Sequence, residues 1–413
     1  MLADLHVHVA RARGRLVKIA ASTRLTVAGI VDECVSRKGL DVIGLVDAHS
    51  PPVIAELEAM VDAGELEPLP GGGLVIPGPR PLTILTASEV EVDEAGLGPV
   101  HYVCYLPRLA SCREFSEFLE PRVTNVSLSS QKARTTGEEL ALRAGKAGGF
   151  LVPAHVFTPH KGYFGQGGTD LRESFSDQAL AHVPAVELGL SADTGLADLI
   201  PSLRPFTLLT SSDAHSPESI GREHTAIDIP PGAPLDFPTL ARALREARVA
   251  ANYGLDPRLG KYHRAFCPAC GHIAAEGHLL GETCPACGGA RVVGGVLDRI
   301  LEIAARGGAP TGGVPAGNKP AGPTSEGPPM VRPPYVHIVP LAHVPGVGPS
   351  TLRKLYRAFG GEMRVLHDVP EVELAAVVGA TLARRISAAR AGTTGLDITP
   401  GAGGRYGRLT PPT

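Results

Sequence analysis

Two histidines alternate in "DLHVH", residues 4–8, so His6 and His8 point to one side of any strand that carries them. The same residue types recur where apolar runs end: Asp47 and His49 in "GLVDAHS", Glu89 in "LTASEVEV", His101 in "PVHYV", His155 in "LVPAH", and Asp213 and His215 in "TSSDAHSPE". Imidazole and carboxylate together suit Zn, Mn or Fe. A bridging carboxylate such as Glu89 could hold two ions about 3.5–4 Å apart, an arrangement that serves phosphoester displacement. One HxH or one Asp-x-His is a weak signal, since the second can simply cap a helix. The set, spread through the chain at run ends, is a metal-site constellation. His49 reads either as an extra ligand or as a satisfied polar residue, with the second favoured.

A second cluster is more specific. "CPACGHIAAEGHLLGETCPACGG" places Cys267, Cys270, Cys284 and Cys287 as CxxC, thirteen residues, CxxC. Four thiolates at this spacing describe a closed tetrahedral zinc ribbon, hence one structural Zn, and two identical "CPACG" knuckles disfavour a redox role. His272 and His278 lie in the loop and are not needed as ligands.

The elements that must position these groups follow from the runs. "LDVIGLVDAHS", "LTILTASEVEV", "VHYVCYLP", "GGFLVPAH", "PAVELGLSA" and "PFTLLTSSDAH" alternate with segments of helical spacing such as "TGEELALRAGKA" and "TLARALREARVAANYG", which implies βα units and an α/β barrel or layered sheet. In parallel α/β folds the carboxyl ends of the strands form the active face, so dispersed ligands converge there. The start of "TGEELALRAGKA" suits an N-cap. The expected organisation is a metal-dependent domain over 1–255 and the ribbon with its adjoining helix over 256–306. A Gly/Pro-rich linker over 307–334, a helical module over 335–395 and a flexible tail over 396–413 complete it.

In the last module, "LAHVPGVGPSTLRKLYRAFGG" resembles a helix-hairpin-helix, and "VVGATLARRI" a second, degenerate one. Gly346 and Gly348 would let the hairpin approach a phosphate, the following helix would offer its amide end, and Lys354 would add charge. Residues 331–413 hold ten Lys and Arg against five Asp and Glu, a locally basic end, although the whole 413-residue chain carries a net charge of -3. A protein-binding helical module is the alternative. With 43% hydrophobic residues, no signal peptide and no membrane-length apolar run, the chain reads as cytoplasmic, with no membrane partner.

"DLHVH", Asp47, Glu89, "PAH" and "SSDAHSP", in this order, resemble the PHP (polymerase and histidinol phosphatase) superfamily, whose members hydrolyse phosphoesters in a distorted βα barrel. The match sharpens in "GFLVPAHVFTP", "VELGLSADTGLAD", "SSDAHSPESIGRE" and "YGLDPRLGKYHRAFCPACG", which resemble the endonuclease Q family over residues 1 to 305. That resemblance implies an α/β, PHP-type distorted βα barrel, followed by a zinc ribbon and, here, a small helix-hairpin-helix-like domain. It implies two or three divalent ions (Zn, Mn, Mg or Fe) on His6, His8, Asp47, Glu89, His101, His155, Asp213 and His215, with Asp213, His215 and Glu89 at the centre of catalysis.

The implied activity is that of a DNA repair endonuclease cutting 5' to uracil, hypoxanthine, xanthine or an abasic site through metal-activated water, and leaving a 3'-hydroxyl. The resemblance points to Ser191, Asp193, Phe157 and His160 for the lesion pocket, although Asp193 suits a helix cap equally well and Phe157 a core. Arg258, Lys261 and His263 are candidates for phosphate contacts. The partner would be double-stranded DNA bearing damaged bases, with other repair or replication proteins as further candidates and a nucleoid-associated location. The competing classes are a PHP-type phosphatase or exonuclease on another phosphoester, and a non-catalytic DNA-binding repair scaffold. A phosphatase has no need of a ribbon and hairpins, and a scaffold has no need of a complete ligand set.

Overall fold

The computed structural model describes residues 1–273, 283–307, 332–390 and 397–410. His278 and most of the expected linker lie outside the described residues. The strands Leu2–Val7, Val42–Leu45 and Leu82–Asp93 run parallel, each built from the apolar runs identified above. Pro99–Leu106 returns antiparallel along Leu82–Asp93, and Phe150–Pro153 pairs antiparallel with it in turn. The Ala185–Glu187 and Thr207–Leu209 strands form a parallel pair.

Backbone hydrogen bonds close this sheet into a distorted βα barrel. Val156 N donates to Glu187 O at 2.8 Å on one side of the pair, and His8 N donates to Ala214 O at 3.2 Å on the other. Closure matters for chemistry because it brings the end of the first strand beside the turn holding Asp213. The pairing register with Val42–Leu45 shifts between Asp4 and Val7, the stretch that carries His6, and such irregularities re-aim side chains at barrel rims. Leu5, Val46, Ala87, Val103, Val152 and Leu209 form one apolar cluster with Phe237, Leu240 and Leu244 of the Phe237–Arg245 helix. The outer helices bury their faces in a second, larger cluster. The helix Gly137–Lys146 begins where its sequence indicates, with the Thr136 hydroxyl accepting from Glu139 N at 3.1 Å.

Three features differ from the sequence reading. Tyr335–His337, assigned to the helical module, adds in parallel to the Val249–Gly254 strand, and Tyr335 is buried. The Val296–Arg306 helix, assigned with the ribbon, also packs on the barrel, where Arg299 donates to the carbonyls of Phe164, Gly167 and Gly168. The expected flexible tail is a hairpin of Asp397–Thr399 and Arg408–Thr410. Its glycines serve close approach to the backbone of residues 258–264 rather than freedom: Gly401 N donates to Arg258 O at 2.7 Å and Gly407 N to Leu259 O at 3.0 Å.

The helical module comprises Pro349–Phe359, Glu362–His367, Glu371–Val378 and Ala380–Arg390. A buried ion pair docks it on the barrel: Lys38 Nζ lies 2.7 Å from Glu362 Oε2, while Glu362 Oε1 accepts from Leu341 N at 3.0 Å. No described helix is long and apolar enough to cross a membrane.

Candidate metal centre

Seven of the predicted side chains meet at the rim of the barrel. His6, His8 and Glu89 offer donor atoms within 4.8 Å of one another, as do His8, Asp213 and His215, and Glu89, His101 and His155. The three groups share His8 and Glu89, so the set is continuous. His6 Nε2 stands 3.4 Å from Glu89 Oε1 and 3.5 Å from Asp213 Oδ1; His8 Nε2 stands 3.4 Å from Glu89 Oε2 and 3.4 Å from Asp213 Oδ1. His101 Nδ1 lies 2.8 Å, and His155 Nε2 3.7 Å, from Glu89 Oε1.

These atoms fit metal ions. His6 Nε2, His8 Nε2 and Asp213 Oδ1 are buried without a hydrogen-bond partner, and burying an unsatisfied polar atom costs roughly 1–3 kcal/mol. Two nitrogen or oxygen ligands of one tetrahedral ion, each at about 2.0–2.2 Å, sit about 3.4 Å apart, the separation found here. Burial pushes the Glu89 carboxyl up, but His101, Lys18 and His8 outweigh it and hold the group well below the usual range. Burial likewise lowers His6, and Glu187 and Asp213 more than reverse it.

Asp47, expected as a ligand, is placed differently. Its carboxylate faces His8 Nδ1 at 3.1 and 3.2 Å and accepts from Val9 N at 2.6 Å, so it orients the imidazole from behind. His49 also stands apart, with Nδ1 2.8 Å from Ser88 Oγ.

Sequence reasoning missed three groups. Glu187 does for His6 what Asp47 does for His8, facing Nδ1 at 3.0 Å. Lys18 Nζ lies 3.1 Å from Glu89 Oε2 and 2.6 Å from Ser130 Oγ, and Ser130 Oγ itself donates to Glu89. Only Lys18 had a signal, its place in the basic run "ARARGRLVK" just after the HxH.

The centre opens into a cavity of about 730 Å³, within the range of roughly 300–1,000 Å³ usual for ligand sites. Its lining also includes His160, Ser191, Arg222, Lys261, Tyr262 and Tyr406. Of the six described non-glycine residues with positive φ, four line this cavity: Ser130 (50°), His155 (31°), Lys161 (70°) and Asp213 (46°). Such backbone costs about 1–3 kcal/mol per residue and persists where the surroundings enforce it, typically at functional sites.

Two pocket candidates take the structural side of their alternatives. Phe157 is buried and stacks on Phe164 with centroids 5.5 Å apart. Asp193 caps the Thr194–Ala197 helix, accepting from Leu196 N at 2.8 Å, and lies 3.3 Å from His337 Nε2. Neither lines the cavity. Arg258 holds Asp256 at 2.6 Å, while Lys261 reaches the cavity. His263 is buried away from it.

The four clustered cysteines form two matched knuckles. Gly271 N donates to Cys267 O at 2.9 Å and Gly288 N to Cys284 O at 2.8 Å. Sγ separations of 3.7 Å (Cys267 and Cys287) and 3.6 Å (Cys270 and Cys284) exclude disulfides and match the edge of about 3.8 Å of a tetrahedron with 2.3 Å Zn–S bonds.

In the helical module the two hairpin turns lie side by side. Gly346 (φ 93°) borders a depression with Gly379 (φ 83°) and Arg385, and Arg385 Nη1 donates to Pro345 O at 3.1 Å. Gly348 caps the Pro349–Phe359 helix, which carries Lys354 exposed.

No family model matches the chain. An uncharacterized protein of Bacillus subtilis, YqxK, is 41% identical over 414 residues, covering 99% of each chain. The structure of the lesion-specific endonuclease PfuEndoQ from Pyrococcus furiosus superposes with a TM-score of 0.78 and 31% identity, covering 100% of this chain and 95% of that one. An endonuclease Q in complex with a 27-mer duplex substrate, with an abasic lesion at its active site, gives a TM-score of 0.77 and 30% identity over 100% of this chain and 97% of that one.

Proposed function

Because the chain belongs to the endonuclease Q family, we propose that it nicks duplex DNA on the 5' side of a deaminated base (uracil, hypoxanthine or xanthine) or an abasic site, leaving a 3'-hydroxyl. The observation that carries this reading is the ligand cluster at the wall of a cavity large enough for one nucleotide. Two or three divalent ions, Zn, Mn, Mg or Fe, would be held by His6, His8, Glu89, His101, His155, Asp213 and His215. When bound, such ions neutralise phosphate charge and lower the pKa of water toward neutrality.

The chain's own groups do the rest. Asp47 and Glu187 fix the imidazole orientations from behind. Lys18, held on Glu89, sets a positive charge beside the position of the scissile phosphate, and Arg222 and Lys261 add charge to the lining of the same cavity. A deaminated base pairs poorly and costs less to draw out of the stack, so the cavity selects lesions partly through the duplex itself. The paired hairpins and Lys354 would hold the backbone of flanking duplex without reading sequence. The four cysteines of the ribbon, Cys267, Cys270, Cys284 and Cys287, would hold a structural zinc. A chain acting in this way works at the nucleoid.

A panel of substrates tests the reading: duplexes with one deoxyuridine, deoxyinosine or abasic site, undamaged duplex, and a small phosphomonoester. Cutting confined to the lesion duplexes supports it. Hydrolysis of the phosphomonoester alone would make the barrel a phosphatase, and tight duplex binding without turnover would make the chain a scaffold.

A further inference from the structure

The hairpin of Asp397–Thr399 and Arg408–Thr410 is seated on the segment that joins barrel to ribbon. Gly404 N donates to Lys261 O at 3.2 Å, and Arg264 N donates to Gly401 O at 3.3 Å. A Cβ at Gly401 would fall 2.2 Å from Gly260 O, so no other residue fits there without moving the hairpin. The run "GAGGRYG" is therefore a fitted insert, and what it delivers is Tyr406 to the cavity wall.

Tyr406 is held at two points. Its hydroxyl accepts from Arg222 Nη1 at 3.2 Å, and Arg222 in turn donates through Nε and Nη2 to Ser212 O at 3.1 and 2.8 Å, next to Asp213. Lys261 Nζ lies 4.6 Å from the ring centroid. The ring still leaves 43% of the residue exposed; no other described phenylalanine or tyrosine is exposed. An aromatic ring fixed by its hydroxyl and by a cation, with exposed area on the lining of the nucleotide-sized cavity into which the metal cluster opens, has the properties of a stacking platform.

We propose that Tyr406 is the surface on which the base of the lesion nucleotide stacks, so that it favours lesions that keep a base over abasic sites. This inference rests on the lesion-nuclease reading. Its chemistry is a neutral aromatic face for a planar nucleobase, with the Lys261 and Arg222 charges beside it for the flanking phosphates.

The test compares wild type, Tyr406→Ala and Tyr406→Phe on duplexes with deoxyuridine, deoxyinosine or an abasic site, reading kcat and KM separately. Stacking on one aromatic ring corresponds to roughly a 5- to 150-fold effect. The ratio of uracil to abasic kcat/KM should fall about ten-fold or more in Tyr406→Ala, chiefly through KM, and much less in Tyr406→Phe, which keeps the ring and the Lys261 contact but loses the bond from Arg222. An unchanged ratio, whether both activities fall together or neither does, would overturn the inference while leaving the nuclease reading intact. Wild-type protein that cuts no lesion would overturn that reading and the inference with it.

Discussion

Glu187 and His6 form a buried pair behind the metal centre: Glu187 Oε2 faces His6 Nδ1 at 3.0 Å, and Glu187 Oε1 accepts from the backbone N–H of His155 at 3.2 Å. One carboxylate thus fixes the tautomer of one imidazole and the backbone of another. Loss of such an outer carboxylate typically weakens metal affinity by about 10- to 100-fold. Glu187→Gln should show that loss in a chelator-competition titration, with unchanged circular dichroism. Wild-type affinity in this variant would show that His6 needs no partner.

Lys18 is expected to act on turnover rather than on binding. Its ammonium stands among Glu89, Ser130 and the cavity, where a fixed positive charge stabilises negative charge developing on phosphate. Lys18→Met should lower kcat by roughly 100-fold, with duplex affinity near wild type in a gel-shift titration. An unchanged kcat would confine Lys18 to supporting the loop.

Cys270 sets a different expectation. Ser at this position removes one of four thiolates, and a structural zinc site does not tolerate three. Metal analysis of Cys270→Ser after dialysis should show one zinc equivalent less per chain, with the barrel's ions retained. An undiminished zinc content would contradict the ribbon assignment.

A histidine pair outside the cavity makes stability depend on pH. His224 Nδ1–H donates to Gly221 O at 3.0 Å, and His224 Nε2 lies 2.9 Å from Nε2 of His367 in the helical module. Burial, with His367 and Lys38 nearby, holds His224 down to about 3, and burial also lowers His367. Tyr253 stacks on His224 from the barrel side, and Asp368 and Arg390 flank His367 from the other. The folded value lies below that of a free imidazole, about 6.5, so the pair's contribution is complete above that pH and is lost as pH falls from there toward 3. Melting temperature should drop as pH falls below about 6.5 toward about 4, and less steeply in His224→Gln. Equal slopes in both proteins would show that the pair does not set the pH dependence of stability.

What the sequence made visible follows from how each residue signals. Strand-end ligands stand out because a histidine or aspartate closing an apolar run has few structural reasons to be there. Asp47 and Asp213 have the same signature, yet one faces the cluster and the other sits behind an imidazole; only the closed barrel separates those positions. Glu187, a lone acid in "PAVELG", gave no spacing to read. Phe157 and Asp193 were legible as alternatives, and burial and a helix cap decided between them. The last hairpin was misread because glycine enrichment looks the same whether the residue supplies flexibility or permits backbone contact, as at Gly401. Tyr335 was misplaced for a related reason: a strand of three residues after a Gly/Pro-rich stretch carries too short a pattern to announce its sheet.

The most direct test of the central claim is a nicking assay on duplex DNA labelled at either end and carrying one deoxyuridine, with Mg or Mn, a chelator control and the Asp213→Asn variant. The expected result is a metal-dependent cut immediately 5' to the lesion, a 3'-hydroxyl on the upstream product, and no cut in the variant, which still binds the duplex. Equal cutting by Asp213→Asn, or cutting that ignores the lesion, would contradict it.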